Sequence, residues 1–148
     1  MKISNTLIVL ILFTLSFSSC KKPGKDVLSR DALTGAWEEL PTQSTSRTLI
    51  FEPGGKFTSK LKMKGSNDWF IMVSGTYATD ADNVIVNITE EQERDASGKI
   101  TKTPVNFRYF DKGKFNIQNF VLTIDYKTYP ADAPVDTQAK FNKILPID

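Results

Sequence analysis

The feature that most constrains this fold is a spacing of two that returns, run after run, between turn signals. Phe120, Leu122, Ile124 and Tyr126 fall at every second position of one stretch. Val84, Val86 and Ile88 do the same in another, and Val105, Phe107 and Tyr109 in a third. Side chains of a strand point alternately to opposite faces, so each set lies on one face of a sheet. A helix would bring apolar residues together every third or fourth position. No helical pattern here is long enough to cover a sheet, so the backbone must find its hydrogen bonds by strand pairing.

Turn chemistry divides the runs. Residues 48–52 and 56–63 flank Pro53-Gly54-Gly55 and read as a hairpin. In its second arm Phe57, Leu61 and Met63 share one face, while Lys56, Lys60, Lys62 and Lys64 fall mostly on the other. A sheet with one wet face explains this. Residues 69–73 are apolar on both faces and lead into Gly75-Thr76-Tyr77. Asp80-Ala81-Asp82-Asn83 reads as a turn. The polar stretch 90–98 reads as a solvated loop. Extended structure resumes over 99–110, where Pro104 lacks an amide proton and demands an edge or a bulge. Asp111-Lys112-Gly113-Lys114 reads as a further turn, and a loop over 129–136 precedes a last strand around 138–145. The expectation is an all-β domain of about eight short antiparallel strands. An up-and-down β-barrel leaves the fewest free edges; a two-sheet sandwich is the other solution.

The amino terminus obeys a different rule. Residues 7–13, LIVLILF, are unbroken hydrocarbon preceded by Lys2. A bilayer-spanning helix needs about 20 apolar residues; this run has the length of a secretory signal core. Ser18 and Ser19 then lead into Cys20, the one cysteine of the chain. Phe17-Ser18-Ser19-Cys20 resembles the lipobox of bacterial lipoproteins of the Bacteroidetes type, with Phe17 where the family pattern prefers leucine. The resemblance implies removal of residues 1–19 and a thioether from the Cys20 thiol to diacylglycerol. Each buried CH₂ contributes about 0.8 kcal/mol, and stable anchoring takes more than one chain. An ordinary cleaved signal and a retained anchor are the alternatives, but a free exposed thiol is a liability in an oxidising compartment. Residues 20–32 form a tether, in which Asp26 can cap a short helical turn towards Leu33. No acidic run follows Cys20, and in this group such a run marks export to the cell surface. The resemblance therefore implies an outer-membrane anchor with the domain facing the periplasm.

A second resemblance spans residues 33 to about 126. Leu33-Thr34-Gly35-Ala36-Trp37 resembles the Gly-x-Trp signature of lipocalins and lipocalin-like lipoproteins. The hairpin "TLIFEPGGKF", Gly75-Thr76-Tyr77 and the run FVLTI at 120–124 follow in the order of the small bacterial versions. It implies an eight-stranded barrel over residues 33–148, with Trp37 plugging the closed end and Gly35 letting the backbone swing past. It also implies a mouth that holds a small apolar molecule. The lining candidates are Phe57, Phe70, Met72, Tyr77, Phe107, Tyr109 and Leu122, residues that serve equally as the filling of a small barrel. In lipocalins an arginine of the last strand packs over the tryptophan; here that strand offers Lys140 and Lys143.

Composition narrows the chemistry. The chain has 148 residues; without residues 1–19, 129 remain, carrying 18 basic and 17 acidic side chains. So balanced a charge creates no field to recruit nucleic acid or a membrane surface. There is no histidine, and lipidation consumes the only thiol. The usual general bases, nucleophiles and zinc ligands are missing, so neither an enzyme nor a metal or cofactor site is expected. Glu90, Glu91, Glu93 and Asp95 lack the tight glycine of a calcium loop. No phosphate loop or nucleophile elbow is present. The expected function is binding of a small hydrophobic or amphipathic ligand by a membrane-anchored barrel. The alternative is an envelope protein-interaction module, an inhibitor or complex subunit, with a filled barrel. An apolar cavity favours the first, an exposed apolar patch the second.

Overall fold

The computed structural model describes residues 32–40, 44–63, 65, 69–131 and 133–145. The signal, Cys20, the tether and the helical turn expected after Asp26 lie outside them, apart from Ala32 and Leu33. Nine strands follow in chain order: β1 (Gly35–Glu39), β2 (Thr45–Glu52), β3 (Lys56–Met63), β4 (Phe70–Asp80), β5 (Asn83–Arg94), β6 (Ile100–Arg108), β7 (Asp111–Gln118), β8 (Val121–Thr128) and β9 (Val135–Ile144). Every pairing is antiparallel. The ring runs β1-β2-β3-β4-β5-β7-β8-β9 and closes from β9 back to β1. This is the expected eight-stranded barrel; β6 is a ninth strand that pairs only with β5.

The β2–β3 hairpin forms in the register its turn dictates, Glu52 opposite Lys56. The turn between Asp80 and Asn83 is also as expected, closed by Asn83 Nδ2 donating to the Asp80 carbonyl at 3.0 Å. Pro104 sits on the edge strand β6, beside a bulge where three steps from 104 to 107 oppose two from 88 to 90. At the β4–β5 irregularity the chains approach so closely that a Cβ on Gly75 would lie 1.9 Å from the Asn87 carbonyl oxygen. Glycine is the only residue that position admits.

Two expectations fail. The stretch from Glu90 is not a loop: β5 continues to Arg94, paired with β4 on one side and β6 on the other. Two neighbouring strands supply every backbone partner, and this outweighs the weak strand preference of glutamate. The loop is only what remains, where the Asp95 carboxylate accepts from the Ser97 and Lys99 amides at 2.9 and 3.0 Å. Nor do residues 111–114 reverse the chain. β6 and β7 both run antiparallel to β5, Arg108 opposite Asn87 and Lys114 opposite Asn83. They are two halves of one bent strand. Six steps from Arg108 to Lys114 oppose four from Asn83 to Asn87, so two residues are looped out and Lys112 takes a φ of 51°. The true reversal comes later. Asn119 and Phe120, at φ 50° and 63°, form the two-residue turn into β8, the geometry whose twist suits a hairpin. Phe120 therefore stands in the turn, 65% exposed, instead of opening the buried run of β8.

The barrel interior is largely filled. At the end where β1 begins and β9 finishes, here called the floor, Leu33 and Trp37 are fully buried. The Trp37 indole donates to the Leu33 carbonyl at 2.8 Å. Lys143 lies across them, its Nζ 5.2 Å from the Trp37 ring centre. Burying an indole removes about 150–250 Å² from water, a gross gain of about 4–6 kcal/mol. Above the floor, six rings touch in sequence across the interior: Tyr77, Phe51, Phe57, Tyr109, Phe110 and Tyr126, with neighbouring centres 4.8–5.4 Å apart.

Candidate functional site

The filling stops short of the other end, the mouth, where β2 and β9 begin. Inward positions follow the spacing of two. From Trp37 it leads to Glu39, from Leu49 back to Arg47, and from Phe57 through Ser59 to Leu61. Leu61 stands opposite Ile71 and Ser59 opposite Val73. Ser59, Leu61, Ile71, Val73 and Tyr109 line a half-open recess of about 180 Å³.

The polar groups beside it satisfy one another. Arg47 donates to both oxygens of Glu39, at 3.1 Å from Nε and 2.5 Å from Nη2. Its guanidinium also lies 5.2 Å from the Phe141 ring centre. Burial opposes the Arg47 charge, but Tyr109 and Glu39 outweigh it and raise its pKa, so the side chain stays cationic. The Tyr109 hydroxyl reaches across the barrel to the Ser59 hydroxyl at 2.7 Å. The result is an apolar-walled recess with hydroxyls at its edge and an ion pair alongside that leaves no net charge. Such a recess favours uncharged or weakly polar matter.

Of the seven lining candidates, Tyr109 alone borders this cavity. Phe57, Tyr77 and Leu122 are buried in the packing below it. Phe70 and Met72 stand opposite Lys62 and Lys60, and the Lys60 ammonium lies 4.6 Å from the Phe70 ring centre. Phe107 is on β6 and 41% exposed. Gly35 and Trp37 meet at the floor, where a Cβ on Gly35 would lie 3.2 Å from Lys143 Cε. Glu39, Arg47 and Ser59 were missed, although their spacing from Trp37, Leu49 and Phe57 places them inside. Polar character hid them.

Two hollows lie elsewhere. One, of about 300 Å³, is bordered by Asp125, Tyr126, Asp136, Thr137 and Gln138. The other, of about 310 Å³, follows the β5–β7 junction. Among the described residues, no three or more Asp, Glu, His or Cys side chains gather as a metal site would require. Comparison with known protein families, curated sequences and solved structures finds no match.

Proposed function

We propose that the chain is a lipocalin-like lipoprotein, tethered through Cys20 to the outer membrane and facing the periplasm, whose barrel mouth binds a small amphipathic ligand without turning it over. The observation that carries this reading is the apolar recess beside Tyr109, Ser59 and Arg47 in a barrel whose interior is otherwise largely filled. Its volume holds about six waters at roughly 30 Å³ each. Sites that enclose a whole drug-sized ligand measure about 300–1,000 Å³. What enters is therefore a small molecule or one end of a longer amphiphile. The lipocalin-like reading gains support from Lys143, which packs over Trp37 where the resemblance implies arginine.

Native mass spectrometry of the mature protein tests the ligand. A retained small molecule is expected, lost on filling the recess with Val73→Trp. An unliganded protein that takes up no amphiphile refutes it. Labelled palmitate tests the anchor separately: incorporation is expected, and its persistence in Cys20→Ser refutes attachment at that residue.

One observation favours an interaction module instead. At the floor, Phe120 is 65%, Ile144 45% and Leu145 58% exposed, and the Lys143 amide donates to the Phe120 carbonyl, holding these segments together. A protein that co-purifies and is lost on Phe120→Ser would establish that reading.

A further inference from the structure

We propose that the groove along the β5–β7 junction is a second ligand site, separate from the mouth, that takes a small amphipathic anion: an apolar body bearing a carboxylate or sulfonate.

The groove exists because the bent strand carries two residues more than β5 can match between Asn83 and Asn87. The surplus is looped out between the Arg108–Asn87 and Lys114–Asn83 pairs, and a hollow of about 310 Å³ lies beside it. Ile85, 37% exposed, gives it apolar surface, backed from the core by the buried Val84 and Phe110, and Arg108, Lys112 and Lys114 bring three cations to it. Lys114 is engaged by Asp82 at 3.6 Å, and Asp80 lies beside Asn83 at one end. Arg108 and Lys112 have no ion-pair partner among the described residues. With Asp80 on the lining and Asp82 on Lys114, the groove keeps a net single positive charge, supplied by Arg108 and Lys112. An apolar lining under unpaired cations is complementary to an anion with an apolar body.

A second observation points the same way. Lys112 holds a φ of 51°, a conformation that glycine adopts freely and lysine rarely. The adjacent Gly113 is fixed by packing: a Cβ there would lie 2.9 Å from Phe110 Cβ and 3.0 Å from the Val84 oxygen. The backbone is thus pressed onto the lining at Gly113 while the neighbouring strained position carries a charge. Of the described non-glycine residues at positive φ, Ala81, Asn119 and Phe120 stand in turns between strands, whereas Lys112 holds it within β7, beside the groove.

The test uses trifluoromethylbenzenesulfonate, followed by fluorine NMR on the purified protein against a protein-free blank. Saturable binding is expected, weakened about five- to tenfold by Arg108→Gln and by Lys112→Gln, as for loss of one partly exposed charged contact. Lys112→Gly is expected to fold at least as stably yet bind as weakly as Lys112→Gln. Val73→Trp, which fills the mouth, should leave the affinity unchanged. Absence of saturable binding overturns the proposal. So does binding indifferent to both charge changes, or binding abolished by Val73→Trp, which would move the anion to the mouth.

Discussion

Replacing Arg47 by methionine tests whether the mouth is as dry as its geometry implies. The Arg47 and Glu39 side chains are 18% and 16% exposed, and their two hydrogen bonds leave the carboxylate fully engaged. Methionine keeps much of the stem volume and removes the charge, so Glu39 is left nearly buried without its cation. Removing one partner of a buried pair costs about 3–5 kcal/mol; with this residual exposure about 2–3 kcal/mol is expected. For an ordered domain of this size that lowers Tm by on the order of 10 °C. Adding Glu39→Gln removes the stranded charge, and the double variant should recover to within about 1 kcal/mol of the parent. Urea unfolding followed by tryptophan fluorescence supplies both values, with equal m-values as the check on two-state behaviour. If Arg47→Met alone costs under about 0.5 kcal/mol, the pair is solvated like any surface ion pair. The recess would then be wet, and the argument for an apolar guest would fail.

Three other outcomes follow from single positions. Gly75→Ala should prevent folding of the β4–β5 ladder, because its Cβ meets backbone 1.9 Å away; a variant with parental circular dichroism and Tm would refute the close approach. Phe120→Gly should stabilise the domain by about 1 kcal/mol, since φ of 63° costs phenylalanine and not glycine; a fall in the urea midpoint would show that the exposed ring contributes to the fold. The Asp95 carboxylate, held by the Ser97 hydroxyl and by the Ser97 and Lys99 amides, has its pKa lowered from the model-compound 3.8. A depressed folded pKa means that the loop contacts are complete above the ordinary carboxylate range and are lost as pH falls through the lowered value. The carboxyl carbon resonance of Asp95 should therefore titrate below 3.8, and a midpoint at or above it would contradict these hydrogen bonds.

The barrel was legible because its signals were local and redundant. Pro53-Gly54-Gly55 sits between two alternating arms, and register follows from the turn. What escaped was structure imposed from a distance. The stretch Glu90–Arg94 has little strand preference of its own and is extended because β4 and β6 flank it. The bend at residues 111–113 uses the same Asp, Lys and Gly that make a reversal, and only pairing with β5 shows that the chain keeps its direction. The site was legible in part. Tyr109 followed from its spacing, whereas Phe70 and Met72 lie in a run apolar on both faces, where a period of two cannot choose a side. Glu39 and Arg47 obey the period, but their charge carries no apolar signal that would mark them as inward.

The bent strand also determines how the barrel closes. The other junctions are ladders of four or more registered pairs; β5 and β7 share one, Asn83 with Lys114. Two further hydrogen bonds help, Tyr109 N to Val86 O at 3.0 Å and Phe115 N to Asp82 O at 2.8 Å. The rest of the closure falls to side chains. Phe110, 1% exposed, lies between the rings of Tyr109 and Tyr126 at the place where the strands part. Beside this weak ladder Tyr109 reaches Ser59 inside the barrel, and Arg108 and Lys112 lie along the groove outside. The groove belongs to this irregularity, whereas the recess is walled mainly by β3 and β4 and meets the bent strand only at Tyr109. Straightening the strand by deleting two residues at 111–113 would lengthen the β5–β7 ladder at the expense of the groove. The length of that one segment, more than any single side chain, makes the groove.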